Sequence, residues 1–146
     1  MTSIDFHFNT PDRLQYACRL ARKITQSGSV SPKKPLVVFC SNQSRLNQFD
    51  ELLWAFSEND FIAHAPFENP AARKSPVVLL SQDEQLENHH LLLNLDDETP
   101  AFFSRFSRLF EVVSADEEDR AKARLRFSFY RDRGYPLTRH DLAQNA

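Results

Sequence analysis

Apolar residues recur at two spacings along the chain, and the alternation between these spacings sets the expected fold. In "SIDFHF", Ile4, Phe6 and Phe8 take every second position, the pattern of a half-buried strand. Thr10 and Pro11 then offer an N-cap and a first helical residue. Leu14, Ala17, Cys18, Ala21 and Ile24 share one side of the helix that follows, and Gly28 ends it. "PLVVFC" is a continuous apolar run, as expected for a strand buried on both faces. Ser41 can cap a second helix, whose stripe is Leu46, Phe49, Leu53 and Phe56.

Short strands are expected at "FIAH", "PVVLLS", "HHLLLNLD" and finally "LFEVV". Thr99-Pro100 opens a short helix carrying Phe102, Phe103, Phe106 and Leu109. A last helix begins at a capping box, Ser114 with Glu117 three residues on. Strands alternating with helices predict one α/β domain over residues 1–146, with a largely parallel sheet of about six strands flanked by helices. Right-handed crossovers should join them.

Composition narrows the function classes. The chain has 41% apolar and 26% charged residues, and no apolar run approaches the roughly 20 residues of a membrane span. "MTSIDFHFNT" lacks the basic and apolar regions of a signal peptide. Cys18 and Cys40 stand alone, in neither a metal nor a redox spacing, which fits a reducing cytoplasm. With only Gly28 and Gly134, no glycine-rich phosphate loop can be written. The expected topology is thus nucleotide-binding-like without a nucleotide site, and no cofactor is implied.

Catalytic and metal chemistry find little support. Cys40 and Ser41 lie where a buried strand meets a helix, a usual ligand position in open α/β sheets, but a nucleophile there needs a base. His7 is the one histidine with a route to it, and a buried structural thiol followed by a helix cap is the favoured account of the pair. His89 and His90 point to opposite faces if on a strand, and no further ligand stands beside them. The acids of "DDE" and "ADEED" complement helix N-termini. No catalytic residue and no metal ligand is assigned.

The C-terminal stretch "RAKARLRFSFYRDRG" is different. It gathers Arg120, Lys122, Arg124, Arg126, Arg131 and Arg133 around Phe127, Phe129 and Tyr130. At ~100° per residue, Arg120, Arg124, Phe127, Ser128 and Arg131 share one face, while Ala121, Leu125 and Phe129 should face the core. The rest of the chain holds 12 basic and 19 acidic residues, a field that opposes a long polyanion. A short acidic peptide, giving a carboxylate to Arg and an apolar side chain to a ring, fits better. Trp54 falls at the margin of its helix stripe and serves either as a core ring or, with Phe61, as a partner anchor.

These segments resemble one family, the chi subunit of the bacterial DNA polymerase III holoenzyme, an accessory protein of its clamp loader. "FDELLWAFSENDFIAH" looks like the family's acidic pair, helix-ending Trp, and Phe seven residues later before a His. "RLRFSFYRDRGYPL" is similar to its Arg-rich last helix, Tyr-Arg pair, glycine and following aromatic. The resemblance implies a non-enzymatic, cytoplasmic adaptor in DNA replication. It implies one-to-one pairing with the psi subunit, which links it to the clamp loader, through a surface that includes Phe61. It also implies binding of the acidic, Phe-ending C-terminal tail of single-stranded-DNA-binding protein by Trp54, Val113, Arg120, Arg124, Phe127, Ser128 and Arg131. Phe127-Ser128 replaces a Tyr-Lys pair implied by the family, removing a hydroxyl and a charge worth about 1–2 kcal/mol if both touch the tail. Arg126 or Arg139 would then compensate. The rival readings are a direct single-stranded nucleic-acid binder and a small Cys40-dependent hydrolase or transferase.

Overall fold

A computed structural model describes residues 1–56 and 62–143 of the chain. Among them, strands β1 (Ser3–Thr10), β2 (Leu36–Phe39), β3 (His64–Pro66), β4 (Val77–Leu80), β5 (Leu91–Asn94), β6 (Arg108–Ser114) and β7 (Leu137–Asp141) form one sheet. Its order is β3-β4-β2-β5-β6-β1-β7 and every pairing is parallel. Three helices flank it: α1 (Arg13–Gln26), α2 (Gln43–Phe56) and α3 (Glu117–Asp132).

Parallel neighbours cannot be joined by a tight turn, so each connection must cross a face of the sheet. The moves β1 to β2 and β2 to β3 run toward one edge, and α1 and α2 carry them over the face holding Val38, Leu93 and Val112. The moves back run over the other face, where Phe103, Ala123 and Tyr130 pack on Phe6, Leu92 and Val113. Reversing direction and face together keeps a single crossover hand. β2 and β5, covered on both sides, are buried at every position, as the apolar run in "PLVVFC" requires.

Several local expectations are corrected. The caps are Asp12, Asn42 and Asp116 rather than Thr10, Ser41 and Ser114. Their carboxylate or amide oxygens accept from the backbone N–H of Gln15, Arg45 and Asp119. In each case a longer-reaching Asp or Asn one or two positions on meets the orphan N–H groups better than a short hydroxyl. The helix expected at Thr99-Pro100 shrinks to a single 3₁₀ turn, Phe103–Arg105. The "FIAH" strand starts at His64, and Phe61 lies outside the described residues.

The sheet also has a seventh strand. β7 follows Gly134, whose φ of +78° only glycine adopts at little cost. It pairs with β1 alone and forms the sheet edge. No helix among the described residues is long and apolar enough to cross a membrane.

Candidate functional site

The position of α3 is set by one charge. Glu111 stands among the apolar residues at the centre of β6, on the face of Leu109 and Val113, and has no solvent exposure. A buried carboxylate is tolerable only if its oxygens are paired. Arg126 Nε donates to Oε1 at 3.1 Å and the Tyr130 hydroxyl donates to Oε2 at 2.7 Å. Asn94 Nδ2 donates to both oxygens, at 3.2 and 3.1 Å. Arg126 Nη1 also donates to the Asp97 carbonyl at 2.7 Å. Burial first, and the Glu111 charge second, push the Tyr130 hydroxyl up, so it remains a donor.

This pairing rotates the helix away from the expected orientation. Ala123, Arg126 and Tyr130 face the sheet, whereas Ala121 is exposed and Leu125 is 75% exposed. Phe129 is half-buried, with the Arg133 guanidinium 3.6 Å from its ring centre. Burying Leu125 instead would gain about 1.5–3 kcal/mol but would expose Arg126. Stranding Glu111 without its partner costs about 3–5 kcal/mol. The ion pair wins.

With α3 so turned, Phe127 lies at the shoulder of the buried stripe and packs edge-on against Phe6, with ring centres 5.3 Å apart. Beside it a groove of about 280 Å³ opens between α3 and the β6-β1-β7 part of the sheet. Phe6, Phe8, Val113, Ala123 and Phe127 supply its apolar lining. Arg120, Arg124 and Arg139, all exposed, supply cations at its rim, together with Asn9. Arg120 and Arg124 each approach Glu117, at 3.9 and 3.6 Å. Arg139 is the register partner of Phe6 across β7 and β1, and its guanidinium carbon lies 5.8 Å from the Phe127 ring centre.

The groove thus unites Val113, Arg120, Arg124 and Phe127, four of the positions singled out in the sequence. Ser128 and Arg131 continue along α3 outside its lining, where Arg131 meets Asp132 at 3.3 Å. Trp54 is elsewhere: it is half-exposed and its ring lies 4.4 Å from that of His64 on β3, the opposite sheet edge. Four interstrand spacings, roughly 19 Å, separate β3 from β6. Of the two compensators considered, Arg126 is spent on Glu111, whereas Arg139 reaches the groove. Phe6 and Phe8, which the alternation places on the apolar face of a half-buried strand, also line the groove. Both lie on the face of β1 that α3 covers, paired in register with Arg139 and Asp141 of β7.

A second crevice, of about 470 Å³, lies at the C-terminal ends of the strands, where open α/β sheets usually bind ligands. Its cations are already engaged. Arg13, Arg45 and Lys122 converge on Asp97 at 3.4, 3.1 and 3.3 Å. Burial alone would raise the Asp97 carboxyl, but Arg45 and Lys122 outweigh it and hold the group below the ordinary carboxylate range. The first turn of α3 carries Glu117, Glu118 and Asp119, which would repel a phosphate where a helix N-terminus could otherwise receive one.

The remaining candidates are packed as structural groups. The buried Cys40 thiol donates to the Leu95 carbonyl at 3.5 Å, and burial pushes it up, away from the reactive thiolate. His7 sits on β1, two intervening strands away from Cys40, hydrogen-bonded to the Tyr16 hydroxyl at 2.7 Å and stacked on His140. His89 meets the Phe106 ring edge-on, and His90 Nε2 lies 3.0 Å from the Ser29 carbonyl. No cluster of three metal-ligating side chains occurs among the described residues.

Comparison with known proteins agrees with the family suggested by the two sequence segments. The family model described as "DNA polymerase III chi subunit, HolC" matches residues 1–138. The chain belongs to this family. A chi subunit from Pseudomonas aeruginosa is 36% identical over 97% of this chain and 98% of its own length. Chi subunits from Haemophilus influenzae and Escherichia coli are 27% and 23% identical, covering 85% and 84% of this chain and 83% and 81% of their own. Membership makes the chain a subunit of DNA polymerase III, the replication enzyme, and the groove on α3 is to be understood in that setting.

Proposed function

We propose that this chi-family chain is a non-catalytic adaptor of the polymerase III clamp loader. It pairs one-to-one with the psi subunit through a surface that includes Phe61. In the α3 groove it binds the acidic C-terminal tail of single-stranded-DNA-binding protein. The observation that carries the tail assignment is the groove itself: an apolar slot with three guanidiniums on its rim in a chain of net charge -2. A peptide ending in an aromatic residue and preceded by acids is complementary to both parts, whereas a long polyanion meets repulsion elsewhere on the surface. Val113, Arg120, Arg124 and Phe127 form the site, and Ser128 and Arg131 extend it along the helix. Trp54, on the far sheet edge, is left out of it.

Calorimetric titration with an acidic peptide ending in Asp-Ile-Pro-Phe tests this. The wild type should bind, Arg124→Ala should bind several-fold more weakly, and affinity should fall with salt. A single-stranded oligonucleotide that bound in place of the peptide would overturn the adaptor reading.

A further inference from the structure

The three rim cations are not equivalent. Arg120 and Arg124 lie on one wall and share Glu117, so any acid reaching them must displace an existing, if loose, ion pair. Arg139 lies on the other wall, on β7, and among the described residues no carboxylate lies within ion-pair distance of it. Its placement follows from register: successive strand residues alternate faces, so the partner of Phe6 emerges beside the apolar floor rather than on the α1 side. It is held near the Phe127 ring, where a docked aromatic side chain would end. A residue whose side chain fills the floor and whose own carboxylate lies a few ångströms away would present that carboxylate to Arg139.

We propose that Arg139 receives the terminal α-carboxylate of the docked peptide, while Arg120 and Arg124 exchange Glu117 for acids earlier in the same peptide. This deepens the tail-binding reading and rests on it. It makes the site specific for a free C-terminus: an internal acidic-aromatic segment has no charge to offer Arg139. The recognised ligand is therefore a chain end with a large apolar last residue and acidic residues before it. The anchor comes from the edge strand rather than from the Arg-rich helix.

The test is a cycle of two peptides against three proteins. One peptide is acidic and ends in Asp-Ile-Pro-Phe with a free carboxylate, and the other is the same peptide amidated. Amidation should weaken wild-type binding about tenfold, in keeping with loss of one charge-assisted hydrogen bond at a partly exposed site. In Arg139→Gln the free acid should bind about tenfold more weakly than to wild type, and amidation should then cost nothing further. In Arg124→Gln the amidation penalty should persist. Both side chains are exposed, so an unchanged urea midpoint is expected for each variant. An undiminished amidation penalty in Arg139→Gln would overturn the assignment of the carboxylate while leaving the groove reading intact. Failure of the wild type to bind either peptide would overturn the groove reading itself.

Discussion

Replacing Arg126 by Met is the sharpest test of why α3 sits where it does. The substitution keeps most of the side-chain volume and removes the guanidinium that donates to Glu111 at 3.1 Å and to the Asp97 carbonyl at 2.7 Å. Glu111 is fully buried and would keep only Asn94 and Tyr130 as partners, neither of them charged. Removing one member of a buried pair costs about 3–5 kcal/mol, mostly as the penalty of the stranded charge. In a domain stable by about 5–15 kcal/mol that is a large share, and it should lower the melting temperature by about 6–20 °C. Urea unfolding followed by circular dichroism measures it, with an unchanged m value showing that compactness is retained. The double variant Arg126→Met with Glu111→Leu should recover most of the loss, because the stranded charge is gone. A single variant within about 1 kcal/mol of wild type, or a double variant no better than the single, would refute the claim that this ion pair orients the helix.

Three further outcomes follow from other parts of the molecule. His7 is held neutral, down to about 4, by burial and then by the stacked His140, so between the ordinary 6.5 and 4 the unfolded chain binds the extra proton. Stability from this group is complete above pH 6.5 and should decline by up to about 3 kcal/mol as the pH falls to 4. Urea midpoints across that range should show a flatter profile in His7→Gln. Glu117→Gln should raise affinity for the acidic peptide about two- to threefold at low salt and less at high salt, since it frees Arg120 and Arg124 from an exposed pair. Calorimetry at two ionic strengths reads this, and weaker binding would contradict it. Cys18, pushed by burial up to about 12, and the buried Cys40 should resist a thiol-disulfide reagent in the native state and react only on unfolding. Fast labelling in buffer would show that one thiol is open.

Much of this architecture is legible in the sequence because its elements have unambiguous periods. The alternation of Ile4, Phe6 and Phe8 and the unbroken run of β2 each admit one reading, and both strands appear where expected. α3 misleads for a physical reason. Its inward face carries an arginine and a tyrosine, and a rule that sorts polar from apolar turns the helix to bury Leu125. The signal that corrects this is present: Ala123, Phe127 and Tyr130 fall at i, i+4 and i+7, and the lone acid in "LFEVV" requires a buried base.

β7 escapes detection because "LTRHD" alternates weakly and lies on an edge, where no second face must be apolar. Missing it also hides half of the groove, so Arg139 enters the sequence reading only as an alternative compensator to Arg126 and not as one wall of the site. Only the family resemblance places Trp54 with the groove residues. No periodicity within one helix reveals which sheet edge that helix's last turn will reach.

The pairing of β7 with β1 bears on when the site can exist. Asn9 Nδ2 donates to Asp141 across 132 positions of sequence, and the floor residue Phe6 and the rim residue Arg139 are joined over a similar span. Contacts this remote incur the largest loop-closure cost and form late in folding, after local helices and the central strands. A partly folded chain could therefore display the basic helix yet offer no slot for a peptide end. Under the proposed tail-binding role, competence to dock would appear only with closure of the sheet edge, and the groove would then report on completed folding.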